Sequence, residues 1–234
     1  MESDGEVIGF YLSDISHRSS RLSRLLSIAN AEFRSKRVPK QYLNRMDVIT
    51  SKGTNAQKRE QGTAQYSTIL GSVAPNAMVR RPYRNLCSVH KKESAQLFIK
   101  AMTACALDSA KIIREIAPGI YDRQVEAVRN VDQQWRFGDL FTSSISNYNI
   151  SASFHTDTRN VIGSYNVIMT KRNNSKGGCL HVPDYNATFE QRDNSMLVYP
   201  AWRNMHGVTP IIPTHEGGYR NSLIFYSLKA FIDG

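Results

Sequence analysis

At Trp135 the chain changes character, and that change constrains the fold more than any other feature. Beyond it, short segments rich in β-branched and aromatic residues alternate with turn clusters, and no helical period is sustained. Candidate strands fall at 138–143, 146–155, 162–171, 179–182, 195–200 and 220–231. Asn173-Asn174-Ser175-Lys176-Gly177-Gly178 and Glu216-Gly217-Gly218 supply turns, because Gly and Asn reach positive φ at little cost. About a hundred residues of short strands must close or stack to hide one face from water. The expectation is an α+β protein whose core, residues 135–234, is a double-stranded β-helix (jelly roll) able to enclose a site.

Residues 1–134 read as a mainly helical region packed on that core. Leu22, Leu25, Leu26 and Ala29 recur at helical spacing within 16–35, with Arg18, Arg21 and Arg24 between them. A second helix is expected over 93–116, ended by Pro118-Gly119, and a shorter third over 121–131; residues 36–92 read as loops with short elements.

Charge is unevenly placed along the chain. The net charge is +10, and from His17 to Arg59 eleven Lys or Arg face only two acids, a local net of +9. Residues 135–234 hold nine basic and seven acidic residues. So concentrated a basic segment favours a polyanion, most simply nucleic acid, with Arg34, Lys36, Arg37 and Lys40 expected on the phosphate backbone. No apolar run approaches the roughly 20 residues of a membrane helix, which argues against a membrane partner. Three cysteines without metal spacing, and an acidic N-terminus without signal-peptide character, lead us to expect a cytoplasmic protein, in a host cell if the source is viral.

Phe154-His155-Thr156-Asp157 carries the first sign of chemistry. Residues i and i+2 of an extended chain point to one face, so His155 and Asp157 can reach a single ion. A third ligand from a distant strand would complete a two-histidine, one-carboxylate face, which leaves open positions and suits non-haem iron(II). His17, His90, His181 and His215 compete for that place. His215 lies too near Arg220 to sit on a separate strand, and His181 is better placed to pack or hydrogen-bond, so His206 is the better candidate. Arg220 and Ser222 share a face of the last strand, where a guanidinium fork and a hydroxyl can bind a carboxylate. On alternation Tyr226 and Leu228 continue that face.

In order and spacing, His155-x-Asp157, His206 and Arg220-x-Ser222 resemble the iron(II)- and 2-oxoglutarate-dependent dioxygenases. The features His155-x-Asp157-x-x-Asn160, His206-Gly-Val-Thr-Pro210-Ile and Arg220-Asn-Ser222-Leu-Ile-Phe-Tyr226 resemble the TET/JBP branch, in particular its phage-encoded members, over roughly residues 135–231. That resemblance implies iron(II), 2-oxoglutarate and O2, and hydroxylation of the 5-methyl group of 5-methylcytosine or thymine in DNA. The base would be flipped from a duplex or presented in a single strand. It also implies that Asn160 and Tyr226 lie at the target base. Leu228 stands where animal members place a base-contacting histidine, and Arg136 is the candidate for a second arginine toward 2-oxoglutarate. The rival expectations are a dioxygenase acting on a protein side chain or a small metabolite, and a non-catalytic nucleic-acid-binding jelly roll.

Overall fold

Apolar spacing sets the helices, and in the first of them a side-chain cap adds to it. The computed structural model describes residues 5, 7–42, 64–76 and 82–232. In it α1 spans Ser20–Arg34, and its N-cap Ser19 Oγ accepts the Leu22 N–H at 3.0 Å, satisfying a donor the first helical turn leaves free. Helix α2 spans Gln96–Ile116 and α3 spans Pro118–Ala127. Pro118, expected only to end a helix, also opens one, since its missing N–H costs nothing in a first turn. Part of the basic segment, residues 43–59, lies outside the described residues.

The strands are antiparallel and assemble into two facing sheets. The larger runs β1 (Phe10–Leu12), β11 (Ser195–Tyr199), β7 (Asn166–Asn173), β14 (Tyr219–Tyr226), β5 (Ser143–Tyr148), β3 (Tyr66–Val73) and β2 (Gln41–Tyr42), with β4 (Asn85–Leu86) also on β3. The smaller runs β10 (Ala187–Phe189), β9 (Leu180–Val182), β12 (His206–Val208) and β6 (Ala152–His155). Strands β8 (Ser175–Gly177) and β13 (Ile211–Pro213) form a separate antiparallel pair. This is the double-stranded β-helix.

Period-2 alternation divides the core. Val167, Met169, Met196, Val198, Leu223 and Phe225 join the apolar side chains of α1 and α2, including Leu26, Phe33, Phe98 and Met102. Their neighbours Ile168, Leu197 and Tyr199 turn the other way, toward Leu180 and Val182 of the smaller sheet. The helices therefore cover the back of the large sheet, and the space between the sheets is left for a site. Truncating a fully buried ring of the helical core, such as Phe33→Ala, costs about 3–5 kcal/mol.

The N-terminal region is less helical than expected, because β1, β2 and β3 extend the sheet that residues 143–226 build. Strand β3, within the stretch read as loops, is buried along most of its length. The candidate strand 146–155 breaks at Asn149, which has φ +54, and 138–143 is mostly a turn, with Gly138 and Asp139 at φ +62 and +66. The last strand stops at Tyr226 rather than 231.

Candidate active site

The register of the small sheet brings two histidines together. His206 on β12 is directly opposite His155 on β6, and their ring centroids are 4.4 Å apart. Asp157 follows β6 by two residues, its N–H held by the Ala201 carbonyl at 3.0 Å. One ligand atom from each of His155, Asp157 and His206 lies within 4.8 Å of the other two. His155 Nδ1 is 2.8 Å from the Ser153 carbonyl and His206 Nδ1 is 3.0 Å from the Asn204 carbonyl. Each ring thus spends Nδ1–H on backbone, leaving Nε2 as a neutral ligand.

The electrostatics keep this donor set in ligating form. Burial pushes the Asp157 carboxyl up, but hydrogen bonding from His155 and the charges of His206 and His155 in their protonated forms, with the Asn166 amide, outweigh it and hold the group below the usual carboxylate range before any metal displaces those protons. Burial also lowers the pKa of His206, which favours its neutral ring. The Tyr199 hydroxyl is pushed up by burial and by the Asp157 charge, and Tyr226 likewise, so both stay protonated.

The cavity between the sheets has a volume of about 430 Å³. His155 and Asp157, with 43% and 31% of their side chains exposed, stand at its open end. At the other end Arg220 is only 2% exposed. Its backbone is clamped by Asn149, whose Oδ1 accepts the Arg220 N–H at 2.8 Å and whose N–H reaches the Arg220 carbonyl at 2.9 Å. Among the described residues its Nε has no hydrogen-bond partner. Burial, with Arg172 directly across on β7, pulls the guanidinium down to about 10, so it is still charged at neutral pH. A Cβ on Gly178 would sit 3.0 Å from Arg220 Cδ, so glycine is what lets this side chain lie there. A buried guanidinium with an orphaned donor, two residues from Ser222 on one face of β14, can take an anionic carboxylate.

Asn160, Tyr226 and Leu228 line the same cavity as His155, Asp157, His206, Arg220 and Ser222. Asn160 bridges the backbone of Leu228. Its side-chain nitrogen is turned inward, to Asn166 Oδ1 at 2.8 Å and Asp157 Oδ2 at 3.4 Å, so its carbonyl is the part left for a ligand. The competing histidines sit elsewhere. His181 Nδ1 is 2.8 Å from Thr188 Oγ1, and His90 Nε2 accepts the Gly71 N–H at 2.8 Å.

Arg136 requires a correction. Its guanidinium donates to the carbonyls of Val131 and Val128, both at 3.0 Å, and of Arg129 at 3.3 Å. It closes off the free carbonyls at and just beyond the end of α3, which attract a cation, and it is not among the cavity-lining residues. The four basic residues expected on phosphates are placed behind the large sheet. Arg34 lies 4.0 Å over the Tyr219 ring, Arg37 pairs with Glu32, and Lys40 donates to the Arg34 carbonyl at 3.2 Å. Lys36 is exposed beside them.

The sequence reading missed Asn166, Asn149 and Arg159. Asn166 had a signal: asparagine is poorly suited to strands, yet it opens a buried apolar one. Arg159, exposed and lining the open end, differs from other surface cations only through its place in the fold.

Residues 76–229 match the profile of Tet_JBP, the oxygenase domain of the 2OGFeDO superfamily, a span that reaches well upstream of Trp135. A search of curated proteins finds no match. Among solved structures, NgTET1 in complex with 5mC DNA superposes with a TM-score of 0.63 at 14% identity, over 99% of this chain and 76% of that one. A putative 2OG-Fe(II) oxygenase family protein from Caulobacter crescentus gives 0.52 at 11% identity, over 94% and 77%. At such identities the likeness is one of fold.

Proposed function

Because the chain belongs to the Tet_JBP family of 2OG-Fe(II) oxygenases, we propose that it hydroxylates the 5-methyl group of a pyrimidine in DNA, taken into the cavity as an extruded base. The enzyme class rests on the family and on the His155, Asp157 and His206 cluster. Iron(II), when bound with 2-oxoglutarate and O2, supplies the oxidising power for C–H hydroxylation, with succinate and CO2 as coproducts. The protein's own part is to hold and orient. His155, Asp157 and His206 would hold the metal, and Arg220 with Ser222 would take the far carboxylate of 2-oxoglutarate. The observation that carries this assignment is the buried Arg220, which lines the cavity and whose Nε lacks a partner among the described residues. An isolated buried charge is costly, and a dicarboxylic acid relieves it.

The DNA reading draws on three supports. The family is one, and the solved complex of NgTET1 with 5mC DNA is another. The third is local: Arg159 lines the cavity and is exposed, and exposed Lys229 is held next to it by the Lys229 N–H to Arg159 carbonyl bond at 3.0 Å. We assign the phosphates beside the extruded base to these two residues. Arg34 and its neighbours lie behind the sheet at the Tyr219 end of β14, about 23 Å along the strand from Tyr226. For the base itself, Asn160 offers a carbonyl and Leu228 no polar group. The pocket therefore accepts a hydrogen bond from the 4-amino group of 5-methylcytosine more readily than it meets the 4-carbonyl of thymine.

The test is direct. With iron(II), 2-oxoglutarate and O2, methylated duplex and single-stranded DNA should yield 5-hydroxymethylpyrimidine by nucleoside mass spectrometry. Hydroxylation of a peptide or metabolite, with DNA bases untouched, would overturn the substrate assignment and leave the enzyme class standing.

A further inference from the structure

We propose that Asn166 is a positioning residue that holds Asp157 with Oδ1 alone toward the metal, keeping one coordination position free for the cosubstrate. The inference rests on the reading of Asp157 as an iron ligand.

Asn166 is the first residue of β7, 3% exposed, and its register partner on β11 is Tyr199. Its Nδ2 donates to Asp157 Oδ2 at 2.9 Å. A carboxylate can only accept, so the direction of this amide is forced. Asn166 Oδ1 then faces outward along the chain and accepts from Asn160 Nδ2 at 2.8 Å. The second Asn160 proton reaches the same Oδ2 at the longer distance of 3.4 Å. Two buried amides thus converge on one carboxylate oxygen. The other oxygen, Oδ1, is 3.5 Å from His155 Nε2, on the side where the imidazole ligands gather.

The asymmetry has a chemical consequence. A carboxylate can bind a metal through one oxygen or both, and a free Asp157 could swing Oδ2 onto the ion. Two histidines and one carboxylate oxygen leave three positions open. A cosubstrate bound through two atoms, together with O2, needs all three. A second bond from Asp157 would occupy one of them. Tying Oδ2 to Asn166 prevents this through Asp157 itself, with Asn166 spending its amide on the carboxylate although it also lines the cavity. Asn160 contributes less, because its bond to Oδ2 is longer and its main partner is Asn166 itself.

The experiment separates metal binding from cosubstrate chelation, anaerobically and without DNA. Iron(II) affinity is measured by calorimetric titration, and 2-oxoglutarate is titrated against the visible charge-transfer band of its iron(II) chelate. In Asn166→Leu, which removes the donor at similar volume, 2-oxoglutarate half-saturation should rise about 10-fold or more, the loss falling on chelation rather than on the metal affinity or activity that removal of a ligand's partner usually lowers about 10–100-fold. Iron(II) affinity should change only a few-fold. Asn160→Ala should shift chelation less than Asn166→Leu does. Should leucine prevent folding, Asn166→Ser removes the direct bond without bulk and should show the same split. Chelation equal to the wild type in a folded Asn166 variant would overturn the proposal, as would parallel losses of iron and cosubstrate. A wild-type protein that forms no iron(II)–2-oxoglutarate band would instead overturn the metal reading on which the proposal depends.

Discussion

Replacing Arg220 by methionine tests the cosubstrate end of the cavity through stability. The side chain is 2% exposed, its Nε has no partner among the described residues, and the nearest like charge is Arg172 across the sheet. A buried charge without a counter-ion is a liability until a ligand arrives. Exchanging even a buried ion pair for apolar groups of similar volume is often neutral or stabilising by about 1–4 kcal/mol, and an unpaired charge has less attraction to lose. Arg220→Met should therefore leave the ligand-free protein at least as stable as the wild type. For a chain of this size each kcal/mol moves the melting midpoint by about 2–4 °C. With redox-inert Mn(II) present, 2-oxoglutarate at a hundred times its Kd stabilises the wild type by about 2.7 kcal/mol, or about 5–11 °C. The variant should lose most of that ligand-induced shift. Differential scanning fluorimetry with and without 2-oxoglutarate reads both quantities. A variant that keeps half or more of the ligand shift would remove Arg220 from the cosubstrate site. A ligand-free midpoint lowered by many degrees would show that the guanidinium is compensated in the empty protein.

Four further outcomes are expected. His155→Ala and Asp157→Ala should each abolish 2-oxoglutarate-dependent turnover with native circular dichroism, because both stand at the open end and outside the apolar clusters; substantial residual activity would contradict the ligand assignment. Arg159→Ala combined with Lys229→Ala should flatten the log–log salt dependence of DNA affinity by about 1.8, or about 0.9 for each phosphate left without its cation, while joint replacement of Arg34, Lys36, Arg37 and Lys40 should leave the slope nearly unchanged; the reverse pattern would move the DNA to the back of the sheet. Leu228→His should sharpen any preference for 5-methylcytosine over thymine in matched duplexes, since it adds a polar group that the wrong base leaves unpaired; equal product ratios would show that position 228 does not read the base. Burial lowers the pKa of His90, so the stabilisation from keeping it neutral is complete above 6.5 and is lost as pH falls through its lowered folded value. Urea midpoints should thus drop more for the wild type than for His90→Gln between about pH 7.5 and 5.5, because the neutral amide can still accept the Gly71 N–H.

What was legible in the sequence follows from the range of the forces involved. Helix α1 and helix α2 could be read because apolar period is local, as is the Pro118-Gly119 stop after α2, and their bounds fall within three residues at most ends. The spacing of Arg220 and Ser222 could be read because strand parity is local too. Strand β3 escaped because Tyr66-Ser-Thr-Ile-Leu-Gly-Ser-Val is buried on both faces, and a strand with two dry faces shows no alternation. Asn149 hid a break inside an otherwise continuous β-like run, since only its left-handed backbone marks it. Arg136 was misread because its true partners, the carbonyls around Val128 and Val131, become anion-like only once α3 has formed and ended there. Asn166 needed the pairing of β7 with β11 and the approach of Asp157, neither of which sequence spacing contains.

Strand β14 carries a consequence beyond the site itself. Arg220, Ser222, Ile224 and Tyr226 line the cavity, while Leu223 and Phe225 join the helical core and Asn221 bonds to Asn30 of α1. A slip of one residue would exchange the two sets completely. It would press a guanidinium into the apolar contact with the helices and leave Leu223 facing the cavity where Arg220 or Ser222 now stands. Neither error could be tolerated alone, and the slip forces both at once. Misregistered chains are therefore rejected by their own instability before they could form a defective enzyme, so proofreading of the active site is done by folding.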